Sequence, residues 1–99
     1  MALIEQQGNR LVVNGAMTVD TVSALLAEGL PLLVGDVEID LKAVVDADSA
    51  AISLMFEFLR QAQSRSAGVV YANLPETIIS LATLYEVLDL IPQRAVAVH

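Results

Sequence analysis

The chain has 99 residues, and 5 Lys+Arg against 12 Asp+Glu leave a formal charge of −7. That length supports one domain, which residues 1–99 are expected to form together. A 56% hydrophobic content supplies a core and excludes intrinsic disorder. The acidic balance argues against nucleic acid, since few cations are available to displace counterions from phosphates, and against unaided docking or insertion at an anionic membrane. With no cysteine and one histidine, neither a disulfide nor a zinc centre can be built, and no metal or other cofactor is expected.

Met1 to Gln7 lacks a basic start and a long apolar run, so no targeting segment is expected and the protein is read as cytoplasmic. Ala2 to Glu5 is a short apolar run. Gly8-Asn9 makes a turn, and Leu11-Val12-Val13 follows, closed by Asn14-Gly15, which together predict a hairpin. Thr18 is placed to cap a helix running to about Glu28, with Val19, Val22, Leu25 and Leu26 as its apolar stripe and Gly29 as its stop. Val37 to Leu41 alternates and predicts a strand, and Ala43 to Asp48 reads as a connecting loop. Ser49 to about Arg65 is helical, with Gly68 marking its end. Val69-Val70-Tyr71-Ala72 reads as a buried strand. Pro75 opens a last helix with Ile78, Leu81, Ala82, Tyr85 and Leu88 on one side and Pro92 just beyond. This order predicts an α/β fold: a mixed sheet of four to five strands with helices packed against it.

Catalytic constellations are scarce. No phosphate-binding GxxxxGK[ST] or GxGxxG is present, and a Ser-His-Asp triad would have to recruit His99 from the terminus. Asp46 and Asp48 form a carboxylate pair that could hold Mg²⁺ or share a proton, or could be solvated acids capping a helix. The segment from Asp46 to Ile52 carries more information. A helix opens on Asp48-Ser49, its free N–H groups attract anions, and a hydroxyl there suits phosphorylation as well as simple capping. Along that helix Ala51, Ile52, Leu54, Met55, Phe56, Phe58, Leu59 and Ala62 cover an arc of roughly 200° at about 100° per residue. That is wider than one sheet face requires. Phe56 and Leu54 lie at its two edges. Either edge could dock a partner, or neighbouring helices could cover both. Met55 and Phe58 belong to the core.

Taken together, Ile39-Asp40-Leu41, Val44, Asp48-Ser49-Ala50-Ala51, Leu59-Arg60-Gln61-Ala62, Asn73-Leu74-Pro75 and Leu84-Tyr85-Glu86-Val87 resemble a STAS domain, the fold of anti-sigma factor antagonists and sulfate-transporter tails. The similarity covers nearly the whole chain. In the sigma-factor regulators of that family the second residue after the loop aspartate accepts phosphate. Here it is Ala50, which has no hydroxyl. Ser49 stands where the subfamily tied to bacterial phospholipid transport has a functionally important Thr, and Leu84-Tyr85-Glu86-Val87 through Ile91-Pro92 is similar to that subfamily's ending.

The resemblance implies a cytoplasmic STAS subunit of an Mla-type ABC lipid-transport complex. Such a subunit binds the ATPase and supports its assembly without chemistry of its own, and it can lie at the inner-membrane face through that complex. Asp46, Asp48, Ser49, Ile52 and Phe56 are the expected partner-binding residues. The alternative is an anti-sigma factor antagonist switched by phosphorylation of Ser49. Ala51 replaces the family's usual Gly, which leaves open whether the loop needs a positive φ. Lys42 replaces a small polar residue. STAS domains can pair through edge strands, so a homodimer is a further option.

Overall fold

The structure, a computed structural model, describes residues 3–94. Ala2 of the first apolar run, the segment 95–99 and His99 lie outside them. The chain runs β1 (Ile4–Gln7), β2 (Arg10–Val13), β3 (Gly15–Met17), α1 (Val22–Gly29), β4 (Asp36–Asp40), β5 (Val44–Ala47), α2 (Ser49–Ser64), β6 (Gly68–Ala72) and α3 (Glu76–Leu84). Short 3₁₀ turns follow α1 and α3, at Leu30–Leu32 and Leu88–Leu90. The mixed sheet expected from the sequence is present as four strands in the order β1-β2-β4-β6, beside a two-stranded sheet of β3 and β5.

The hairpin forms because Gly8 supplies φ +64° in a two-residue turn that pairs Gln7 with Arg10. β2, β4 and β6 then run parallel, with Leu11, Ile39 and Tyr71 in register. Strand alternation sends Ile4, Leu11, Val13, Val37, Ile39, Val69 and Tyr71 into one core shared with the helices. Tyr71 is fully buried, and its hydroxyl donates to the Met55 carbonyl of α2 at 2.7 Å, fixing helix on sheet. Burial pushes its phenol well above the usual range, so it stays a neutral donor.

The opposite face of the sheet carries charge. Asp40 Oδ1 accepts from the Lys42 amide at 2.9 Å and from Asn73 Nδ2 at 3.0 Å. Its Oδ2 faces Arg10 Nη2 at 3.0 Å as an ion pair without hydrogen-bond alignment. Arg10 also pairs with Glu38, opposite it in register, at 3.1 Å. Both outer sheet edges are partly occupied. Glu28 accepts from the amides of Leu3, just before β1, and of Ile4 within it, while residues 92–94 bond to Tyr71 on β6. Among the described residues no helix is long and apolar enough to cross a membrane.

Several expectations are corrected. Ala43 to Asp48 is not a loop. Val44–Ala47 is strand β5, paired in parallel with Gly15–Met17, a strand the hairpin reading closed off. Gly15, at φ +89°, sits where that pairing shifts register. α1 starts at Val22, not after Thr18, because the Thr21 hydroxyl donates to the Ala16 carbonyl and accepts from the Thr18 amide, locking residues 18–21 into a turn. Val19 is therefore outside the helix and 71% exposed. β6 is not buried throughout, since Val70 faces outward.

α2 ends before Gly68. The Ser66 amide donates to the Gln63 carbonyl and the Ala67 amide to that of Ala62, with Ser66 left-handed. Gly29 does not break α1 through conformational freedom. It is helical, and it lets the Phe58 ring approach. α3 stops at Leu84, so Tyr85 leaves the packed stripe.

Candidate functional site

The site is built where β5 passes into α2. Asp48 is extended, and its Oδ1 accepts from the Ala50 amide at 2.8 Å, capping the helix. Its Oδ2 accepts from the Val19 amide at 3.1 Å, and its own amide donates to the Met17 carbonyl. One carboxylate thus caps α2 and ties its start to the 18–21 turn. Ala51 is an ordinary helical residue, fully buried, so its side chain costs no backbone strain.

Ser49 follows at the first helical position and is exposed. One and two turns on, Ile52 and Phe56 project to the same side. Ile52 is buried in the core and Phe56 half-buried, packed against the core from its edge. The two edges of the wide arc therefore have different fates. Leu54 is buried, with α1 beside α2 on that flank, whereas Phe56 borders open space on the α3 side. Met55 and Phe58 lie in the core, as expected.

Across from Phe56, α3 ends in a turn closed by the Glu86 amide on the Thr83 carbonyl and the Val87 amide on that of Ala82. Glu86 is held at φ +59°. This turn sets Tyr85, 49% exposed, and Val87 against the flank of α2. An open groove of about 780 Å³ results, lined by Val19, Asp48, Ser49, Ile52, Phe56 and Tyr85 together with Ala50, Ser53 and Val87. It is large enough to receive several side chains, and most of its wall is apolar. A second, smaller groove runs between α1 and α2 and shares Ala50 and Ser53 with the first.

Of the five residues expected from sequence, Asp48, Ser49, Ile52 and Phe56 come together along one groove. Asp46 does not line it: it sits exposed in β5, paired with Ala16. Sequence reasoning missed Val19, Tyr85 and Val87. Tyr85 and Val87 had a signal in the family-like ending Leu84-Tyr85-Glu86-Val87. Val19 had none, because its apolar side chain fitted a helical stripe. No phosphate cradle or acid–base dyad is formed there. Among the described residues the one carboxylate lining the groove, that of Asp48, is engaged by two backbone amides.

A family model described as "Mlab, STAS domain" matches residues 2–92. No curated protein sequence matches the chain. Among solved structures it is similar to the anti-sigma factor antagonist SpoIIAA in its unphosphorylated form, at 15% identity over 96% of this chain and 87% of that one, with a TM-score of 0.66. It is also similar to a Thermotoga maritima protein described as an anti-sigma factor antagonist, at 9% identity over 94% and 85% of the two chains, with a TM-score of 0.74. The phosphorylated form of SpoIIAA from Bacillus matches at 12% identity over 93% and 89%, with a TM-score of 0.61. At these identities the structural likeness speaks to the fold. The family match spans nearly the whole sequence, and by it the chain belongs to the STAS domain family.

Proposed function

We propose that this chain is a non-catalytic docking subunit that seats the groove between α2 and the end of α3 on the ATPase of a bacterial phospholipid-transporting ABC complex of the Mla type. The observation that carries the reading is the apolar groove with an exposed hydroxyl, Ser49, at the mouth and an aromatic wall, Phe56, behind it. The description of the matching family model supports the choice of complex. Ser49 contributes a hydrogen bond, Phe56 and Ile52 contribute apolar area, and Asp48 holds the frame rather than contacting the partner. Asp46 stands at the periphery. Such a subunit works in the cytoplasm, held at the inner-membrane face by its partner.

A neutral interfacial hydrogen bond contributes about 0.5–1.5 kcal/mol, and a buried aromatic more. Titration of the purified ATPase subunit should therefore show Ser49→Ala weakening binding by up to roughly tenfold, and Ser49→Asp or Phe56→Asp weakening it further. A carboxylate at the first helical position suits the helix dipole, so Ser49→Asp leaves the fold intact. Binding unchanged by both aspartate variants would remove the groove from the interface.

A second reading is favoured by the exposure of Ser49 at the start of a long helix and by the likeness to SpoIIAA, solved in both phosphorylated and unphosphorylated forms. In that reading a serine kinase modifies Ser49 and the added charge switches binding to an anti-sigma factor. Ala50, at the position the regulators phosphorylate, weighs against it. Intact-mass measurement after incubation with candidate kinases and ATP separates the two, because stoichiometric phosphate on Ser49 belongs only to the second.

A further inference from the structure

The distribution of charge around the groove is one-sided. The chain has five Lys and Arg residues, and none lines the groove. Arg10, Lys42 and Arg94 face Glu38 and Asp40 on the far side of the sheet. Arg60 is paired with Glu57 farther along α2, and Arg65 donates to the Leu30 carbonyl beyond the helix's C-terminal end. Acids, in contrast, flank the lining residues. Asp20 follows Val19, Asp46 precedes Asp48 by two, and Glu86 lies between Tyr85 and Val87, and all three are exposed. By sequence adjacency to lining residues these exposed acids border the groove as a rim, and all five Lys and Arg side chains are engaged elsewhere.

The floor has a matching shape. Ala50 and Ser53, which line both grooves, make a low ridge of small side chains, with the larger groove on the α3 side and the smaller one on the α1 side. A ridge of that kind lets another helix approach closely and drop its own side chains into the troughs on either side. An acidic rim repels a second copy of the same face, a nucleic acid or an anionic membrane.

We propose that the occupant is an amphipathic helix of the partner protein, with an apolar stripe that fills the groove and Lys or Arg residues flanking it that meet Asp20, Asp46 and Glu86. This rests on the docking function given above and names the chemistry that the partner must present. The rim acids speed encounter and fix orientation, while the apolar trough holds the complex.

The test is the binding of the full chain to the purified ATPase subunit, followed by stopped-flow and by titration at about 50 and 500 mM NaCl, a range over which exposed charge pairs are progressively screened. Asp20→Lys with Glu86→Lys is compared with Glu5→Lys with Asp36→Lys, which makes the same change in net charge outside the groove. The rim pair should slow association by roughly fivefold or more at low salt and flatten its salt dependence. The remote pair should change either quantity by less than about twofold. Circular dichroism confirms that each variant is folded. Binding of the ATPase with no salt dependence, or equal effects of the two pairs, overturns the basic-helix occupant and leaves the docking function standing. No binding of the ATPase at all overturns both. A face-to-face homodimer whose association is lost in Phe56→Asp assigns the groove to a second copy and likewise overturns the proposal.

Discussion

Asp40 shows how one residue carries much of the outer sheet face. Burial alone would push its carboxyl up. The Asn73 amide and the Lys42 N–H, with the Arg10 and Lys42 charges, outweigh burial and hold it below the usual carboxylate range. A folded pKa below the unfolded value of about 3.9 means the stabilisation is present above pH 4 and is lost as pH falls through the folded value. Urea melts should therefore show midpoints falling between pH 5 and pH 2.5. Asp40→Asn should be less stable than the parent at pH 7 by about 1–3 kcal/mol, with the gap closing in acid. A gap that does not narrow at all as the pH is lowered would show that the carboxylate's charge is not what stabilises the site.

Gly29 makes a second case at this scale. A Cβ there would stand 2.7 Å from Phe58 Cζ, 2.8 Å from Cε1 and 3.1 Å from Ile4 Cδ1. Phe58 is buried and has little room to give. Gly29→Ala should cost about 1–3 kcal/mol from overpacking, more than the helix propensity it gains, and thermal unfolding will read this as a lower Tm.

At the scale of elements, legibility followed the range of the forces involved. The hairpin, β4, α2 and α3 were readable because their signals are local: Gly8 in a tight turn, alternation in Val37 to Leu41, helical spacing from Ser49, and Pro75 before a helix. β3 and β5 were not, because each is three or four residues long and exists through parallel pairing across nearly thirty residues of chain. The end of α3 was hidden for another reason, whereas α2 closes within a residue of the Arg65 that the spacing gave. Both close in the same left-handed C-terminal turn, but with Ser66 and Glu86 where glycine would announce the stop. Missing the second stop kept Tyr85 on a helical stripe and out of the site. The same fact makes a prediction: Glu86→Gly relieves the left-handed strain on a side chain, and even after the added freedom of the unfolded chain it should raise stability by roughly 0.5–1 kcal/mol. An unchanged or lower Tm would mean that this turn is not strained.

For the whole molecule, the arrangement separates scaffold from surface. One sheet face and three helices share a core, while the other sheet face gathers Arg10, Lys42 and Arg94 around Glu38 and Asp40. The helical side is left with an apolar groove and no Lys or Arg along it. Sequence resemblance pointed to the loop and the helix that form one wall of this groove. The opposite wall came from the end of α3, brought there by the fold.

The docking account is tested most directly by methyl NMR of the labelled chain during titration with the ATPase subunit. Val19, Ile52 and Val87 line the groove from the 18–21 turn, α2 and the end of α3. Val70 faces outward from the opposite side of the sheet. The account predicts that the three groove methyl signals shift or broaden together at substoichiometric partner while Val70 stays fixed. Perturbation centred on Val70, with Val19, Ile52 and Val87 unmoved, would contradict it.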